Sequence, residues 1–592
     1  MQKEEVLVLV GLLAIISLLG ILAVYFEEGG ITGAFFGVQL IDSENTAEST
    51  SPPDTGADDT SPEEAMPQES SLPRADSELG TEPPAHTSKE DTAEPATAQA
   101  GSSPTISEEQ PKPSSGSLAP ASIGILDEAT STTCGNVSNS LTLTANITFS
   151  PASTVGCMNI SNSHVVLNGD GFALIGNGTG YGVNISSNLQ NVTIKNLLII
   201  NFTEGIHLVE ATAVFSNHTF INNTIRSIFP SSYGIYILNS GKNNITENTI
   251  NASVGIYLRD YHNNTLFNNT INTLGGAESI LIYDSSNNTI YKNTINSSGR
   301  AIDLNAAGGT APNDNNITEN TIHLPAHIGI VVRGSRNKIV GNTITSLASI
   351  GLSTANANYV NNQILYNTIT ANGYGIDASS YNLSNFTGNH IRTNGTGSDS
   401  TGIYLAPNAV SVGSHNFIGW NNITTVGATA PGMDIASATA ASLNVTVVGN
   451  NITTSGTDAD GIRVAAASGA FSQNIIVAQG AGSGGIEFYT SGGGTADGYN
   501  FSYDRINASQ GFELNVTSPA GASAPGMTFR NILLEEKVNF TSSLIMGVLI
   551  EVNKTQPADP ATLLSIGDFL TIRNNTAGAY VEFNLSHNAT DA

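Results

Sequence analysis

The sequence predicts an all-β solenoid, a single rod of short strands stacked coil on coil, and three observations carry that expectation. One unit recurs between Gly234 and Ile295, as GIYILNSGKNNITENTI, GIYLRDYHNNTLFNNTI and SILIYDSSNNTIYKNTI, at a spacing of roughly 21 to 25 residues that belongs to solenoids. Inside each copy, apolar residues such as Ile235 and Ile237 alternate at period two. That is the pattern of a strand with one buried face, and no window keeps helical spacing. Two more apolar anchors follow in each copy at a constant interval, first Ile245 and Ile250, then Leu266 and Ile271, then Ile290 and Ile295. Each coil should therefore hold three strands.

A row of asparagines sets the register. Two residues before each third anchor stand Asn223, Asn248, Asn269, Asn293, Asn320, Asn342, Asn367, Asn389, Asn421 and Asn450. An amide side chain donates and accepts, so identical Asn stacked one above another can bond along the stack. These residues resemble the right-handed parallel β-helix family with the pectin-lyase-like fold, and more narrowly the NosD-like repeats of prokaryotic cell-surface proteins. The resemblance implies a single-stranded right-handed parallel β-helix over most of the chain after residue 123. It implies much less about activity.

Taken in order, residues 1–5 read as a cytoplasmic N-terminus. Val6 to Phe26 carries no charge and is long enough at 1.5 Å per residue to cross a bilayer, so 6–26 is expected to be a transmembrane anchor or uncleaved signal. Residues 27–122 read as a disordered stalk. From Asp42 to Ser122 this stretch is rich in Pro, Ser, Thr and Ala and holds about 17 acids against 3 bases, too few apolar groups to offset the entropy of folding. Residues 123–180 are expected to cap the rod with its first coils. Cys134 and Cys157, an even pair beyond a membrane segment, are expected to form a disulfide there. Residues 181–533 hold the repeats, with openings from Gly182 to Gly511 that stack to a rod on the order of 65 Å long. Residues 534–592 are strand-rich and should close the far end.

Composition narrows the function. The 592-residue chain has a net charge of −29, which disfavours nucleic acid as a partner. Two Cys, ten His and six Met show no ligand spacing, so neither metal nor cofactor is expected. The outward residue of each Gly-apolar-x-apolar opening is the place to look for a site, a row running from Asn184 to Glu513. Tyr236, Tyr257 and Tyr404 in that row, with Asp377, are candidates for glycan contact, set against the plain preference of aromatics for pleated surfaces. Asp434, Arg463 and Glu487 fall on consecutive coils, which suits either a charge ladder or the carboxylate pair of a glycosidase. About 30 Asn-x-Ser/Thr sequons suggest a glycoprotein, although a repeat needing Asn at turns and Thr on strands produces them anyway. The expectation is a single-pass membrane protein with its bulk outside the cytoplasm, or alternatively a secreted one. Its role is structural, adhesive or glycan-binding, with a polysaccharide lyase or glycoside hydrolase as the alternative.

Overall fold

The computed structural model describes residues 129–149, 156–306, 309–347, 350–353, 359–379, 381–406, 414–436, 443–465, 468–489, 499–515, 527–534, 538–545, 548–552, 570–574 and 581–586. The expected anchor (6–26) and stalk (27–122) lie outside them. Among the described residues no helix is long and apolar enough to cross a membrane.

The described chain is a right-handed parallel β-solenoid of about 14 turns. Each coil gives its first strand to one sheet and its second and third to a 34-stranded sheet. Pairing is parallel and in register through the repeats: Ile235 lies opposite Ile256, Ile245 opposite Leu266, and Ile250 opposite Ile271. The three anchors of each coil meet in the centre, where Ile235, Ile245 and Ile250 are fully buried. Farther along, the second-strand anchor changes from Ile364 to Phe386, and later to Phe471, Phe501 and Phe529. The larger rings occupy the same central position and are likewise buried.

Most coils open on glycine, Ser279, Ala301 and Glu513 being exceptions, and at Gly234 the cause is steric. A Cβ at Gly234 would lie 2.6 Å from the carbonyl oxygen of Gly255, and would also collide with the Ile250 side chain. The chain turns tightly against the third-strand anchor there, and a side chain has no room.

The asparagines form a continuous hydrogen-bonded ladder. Asn248 donates through its backbone N–H and its Nδ2 to Asn269 Oδ1, both at 3.0 Å, and the pattern repeats at Asn269, Asn293 and Asn320. It continues past Asn450 to Asn474 and then Asp504. A second ladder, not anticipated from sequence, runs beside it through Asn243, Asn264, Asn288, Asn315 and Asn337. It lies ahead of the second strand, and the first ladder lies between the second and third. Each bend is thereby supplied with partners for backbone groups it would otherwise bury unpaired.

Both ends depart from the repeat. Cys134 and Cys157 are joined by a disulfide across 23 residues, a closure that stabilises by about 3 kcal/mol on loop-entropy grounds. At the other end the pairing turns antiparallel: Val538–Ile545 runs against Met527–Leu534, and Val548–Val552 against Leu514–Asn515. Antiparallel strands laid on the last coil give its open edge a partner.

Candidate functional site

The first strand of each coil turns one residue outward, and the register stacks these into a row. Asn184, His207, Tyr236, Tyr257, Leu281, Asp303 and Val331 follow one another, each opposite the next. The row continues through Ser353, Asp377, Tyr404, Asp434, Arg463 and Glu487. It ends on Asn515, not on Glu513 as expected. Leu514 is the anchor opposite Ile486, so this coil opens two residues later than Gly511 suggests, and Glu513 is buried.

The N-terminal part of the row is an aromatic stack. Tyr181 and His207 lie 3.9 Å apart, His207 and Tyr236 5.6 Å, and Tyr236 and Tyr257 4.9 Å, all with nearly parallel ring planes. Tyr233 packs edge-on against both Tyr236 and Tyr257. Because the rings stack face to face, Tyr236 and Tyr257 spend their faces on each other. Tyr257 is only 8% exposed, closed in by Tyr233, Tyr236 and Tyr283.

Farther along, the row gathers charge. Asp303 is fully buried, with Arg333 at 2.5 Å and Arg300 at 3.0 Å. Asp377 accepts from Ser353 Oγ at 3.3 Å and from the Ser379 N–H at 3.2 Å. Tyr404 stacks on Tyr374 at 5.0 Å, and the Tyr374 hydroxyl donates to Asp399 at 3.0 Å.

The densest cluster is centred on Arg463. Its guanidinium lies 3.3 Å from Glu487, 3.7 Å from Asp434 and 3.8 Å from Asp460, and rests over the Tyr489 ring at 4.4 Å. The Tyr489 hydroxyl donates to Asp434 at 2.6 Å, and the Gly484 N–H donates to Asp460 at 2.6 Å. Burial raises the Asp434 carboxyl, against the opposing pull of Tyr489 and Arg463. Burial and the neighbouring charge of Glu487 drive Asp460 well above the usual carboxylate range. The Tyr489 phenol is likewise raised by burial and by Asp434. The cluster thus offers a carboxyl disposed to hold a proton beside two carboxylates and a fixed cation.

Sequence reasoning placed Asp434, Arg463 and Glu487 together and missed two members. Tyr489 stands two residues past Glu487, on the same face by strand alternation, so period two could have found it. Asp460 sits in the bend before its strand, where alternation has no meaning.

Three of the described imidazoles are engaged by neighbouring groups. His207 Nδ1 is 2.6 Å from Glu204, His218 is buried and accepts from the Val192 N–H, and His262 accepts from the Ser286 N–H. Among the described residues no group of three or more His, Cys, Asp or Glu could hold an ion.

Residues 159–359 match the family described as periplasmic copper-binding protein (NosD), a stretch that lies within the right-handed β-solenoid. The engaged histidines just described do not fit a copper site. No curated relative matches the chain by sequence. Among solved structures, the DFA-IIIase of Arthrobacter chlorophenolicus A6 is similar at 12% identity, over 48% of this chain and 62% of that one, less than two thirds of its length, with a TM-score of 0.27. The surface adhesin PfbA of Streptococcus pneumoniae is similar at 11% identity, over 65% of this chain and 84% of that one, with a TM-score of 0.28. A tailspike protein of E. coli bacteriophage HK620 is similar at 12% identity, over 76% and 87%, with a TM-score of 0.27.

Proposed function

We propose that this NosD-type rod is an extracytoplasmic glycan-binding protein, held at the cell surface through residues 6–26 and extended from it by residues 27–122. Its sugar-contacting region would be the outward row from Asp377 to Glu487. One observation carries the reading: the Arg463 cluster is not needed by the fold. The same row accepts Leu281 and Val331 in other coils, so the stack forms without charge there. Burying ionisable groups is costly unless they are paired. Gathering Asp434, Asp460, Arg463, Glu487 and Tyr489 at one place points instead to polar recognition, in which carboxylates and phenols meet sugar hydroxyls. The name of the matching family, which places its members in the periplasm, agrees with this location. On a glycan array the wild-type protein should be retained, and Glu487→Gln and Tyr404→Phe should each lower retention at least fivefold with unchanged melting. A wild-type protein that no glycan retains would sink the reading.

A second reading is favoured by Asp460 alone. Inverting hydrolysis of a glycosidic bond uses a protonated carboxyl for the leaving oxygen and a carboxylate for the attacking water. The upward shift of Asp460 suits it to the acid's part, and Asp434 to the base's, since Glu487 lies too close to Asp460 to leave room for a water between them. New reducing ends released from a polysaccharide panel by wild type, and not by Asp460→Asn, would establish cleavage. Equal release by both would remove Asp460 from that role.

A further inference from the structure

The bend between the second and third strands carries its own row, immediately before the long asparagine ladder and on the 34-stranded sheet, away from the outward row already described. Every residue there has a left-handed backbone. Lys292, Glu319, Gly341, Tyr366, Gly388, Trp420 and Gly449 have φ between 54° and 67°. Gly and Asn adopt this region cheaply, and a bulky aromatic does not. Yet Tyr366 and Trp420 occupy it, 64% and 56% exposed, and Trp420 is the only tryptophan in the chain.

Each ring has a glycine beside it. A Cβ at Gly388 would lie 2.5 Å from the Tyr366 ring, and one at Gly449 would lie 2.7 Å from Trp420. Ring and glycine alternate from coil to coil, so each ring lies across the bare backbone of the coil that follows. The two rings are separated by two coils, about 10 Å. Unlike Tyr236 and Tyr257, they are not stacked on another ring of the row among the described residues, and the ring beside Trp420 is Phe417, tilted at 5.6 Å. Polar groups border them: exposed His390 and Asn422 are bonded to each other at 3.1 Å, and Asn451 lies 3.5 Å beyond.

We infer that this corner is a second, independent glycan-binding site, a flat tape that takes an extended, neutral, β-1,4-linked polysaccharide lying along the rod. In such a chain successive sugars are flipped, so every second ring shows the same apolar face. A platform with one aromatic per two coils meets that repeat, and His390, Asn422 and Asn451 are placed to bond the hydroxyls at its edge. The net charge of −29 argues against a polyanionic chain. Tyr503, 50% exposed in the same row, stands three coils past Trp420 with Gln473 between, outside the two-coil repeat, so the platform consists of Tyr366 and Trp420.

Trp420 makes the test direct, because tryptophan emission of the full chain reports this corner alone, whatever happens at Arg463. Titration with cellohexaose or chitohexaose should give a saturable shift in emission. Tyr366→Ala should weaken that binding at least fivefold, and Ile228→Ala, an exposed apolar residue elsewhere, should leave it unchanged. Calorimetry on Trp420→Ala should show a loss of at least tenfold, with the melting temperature followed to exclude misfolding. No saturable shift with either hexamer overturns the proposal, as does Tyr366→Ala binding like wild type. An oligogalacturonate hexamer binding as well as the neutral ones would overturn the chosen ligand class. An emission change that follows protein concentration without sugar would assign the tape to pairing between copies instead.

Discussion

Asn293→Ala should destabilise the rod by about 3 to 5 kcal/mol, because it leaves several buried groups without partners at once. Asn293 Oδ1 accepts from both the N–H and the Nδ2 of Asn269, each at 2.9 Å. Its own N–H and Nδ2 donate to Asn320 Oδ1, and Nδ2 also reaches the Leu266 carbonyl at 2.9 Å. Asn269, Asn293 and Asn320 are each only 1% exposed, so water cannot replace what is lost. A solenoid is stabilised by contacts between neighbouring coils, and a failed rung in mid-rod should divide one unfolding transition into two. Denaturant melts followed by circular dichroism, with hydrogen exchange on the flanking coils, would measure both effects. A loss below about 1 kcal/mol would mean that the ladder contributes little beyond packing.

Asp504→Asn should act in the opposite direction, and only when the solution is not acidic. Asp504 ends the ladder, accepting from the N–H and Nδ2 of Asn474, both at 2.8 Å. At other rungs Nδ2 donates to a carbonyl one coil back, as Asn474 does to Val447 and Asn450 to Ile418. Asp504 offers Oδ2 in that place, and this buried atom has no hydrogen-bond partner. Burial raises its pKa to about 7. An acid raised in this way costs nothing while both folded and unfolded states are protonated. As pH rises from about 4, the unfolded chain ionises first and folded stability falls, until the loss levels off above about 7. A shift of this size corresponds to something on the order of 4 kcal/mol. Asparagine restores the donor and removes the charge. The variant should therefore match wild type near pH 4 and exceed it increasingly up to pH 8. Equal stability at pH 8 would show that Asp504 is solvated or paired there.

Much of the fold was legible because a solenoid repeats its demands. Ile245, Ile250 and the Asn two residues before the third anchor recur because every coil needs a filled centre and a satisfied bend. The same logic located the outward row and put Asp434, Arg463 and Glu487 on one line. It failed where the period ends. Glu513 was misplaced because the last coil opens two residues late, and the ladder's true end at Asp504 has the wrong residue type for the pattern. The second ladder through Asn243 and Asn264 escaped notice although its spacing is equally regular, because adjacent asparagines in NNIT and NNT hide which of the two turns inward.

By itself the sequence determined the coil, its three inward anchors and the stacking asparagines, since all follow from period, burial and hydrogen-bond need within a single repeat. Only the tertiary structure decided which side chains outside the repeat meet. Asp460 approaches Arg463 from a bend, and Tyr489 reaches Asp434 across 55 positions of chain. Tyr236 and Tyr257 turn their faces to each other, while Tyr366 and Trp420, fixed in a left-handed bend above glycines, keep theirs free. Ring orientation and contact between coils depend on distances through space, and spacing along one strand does not encode them.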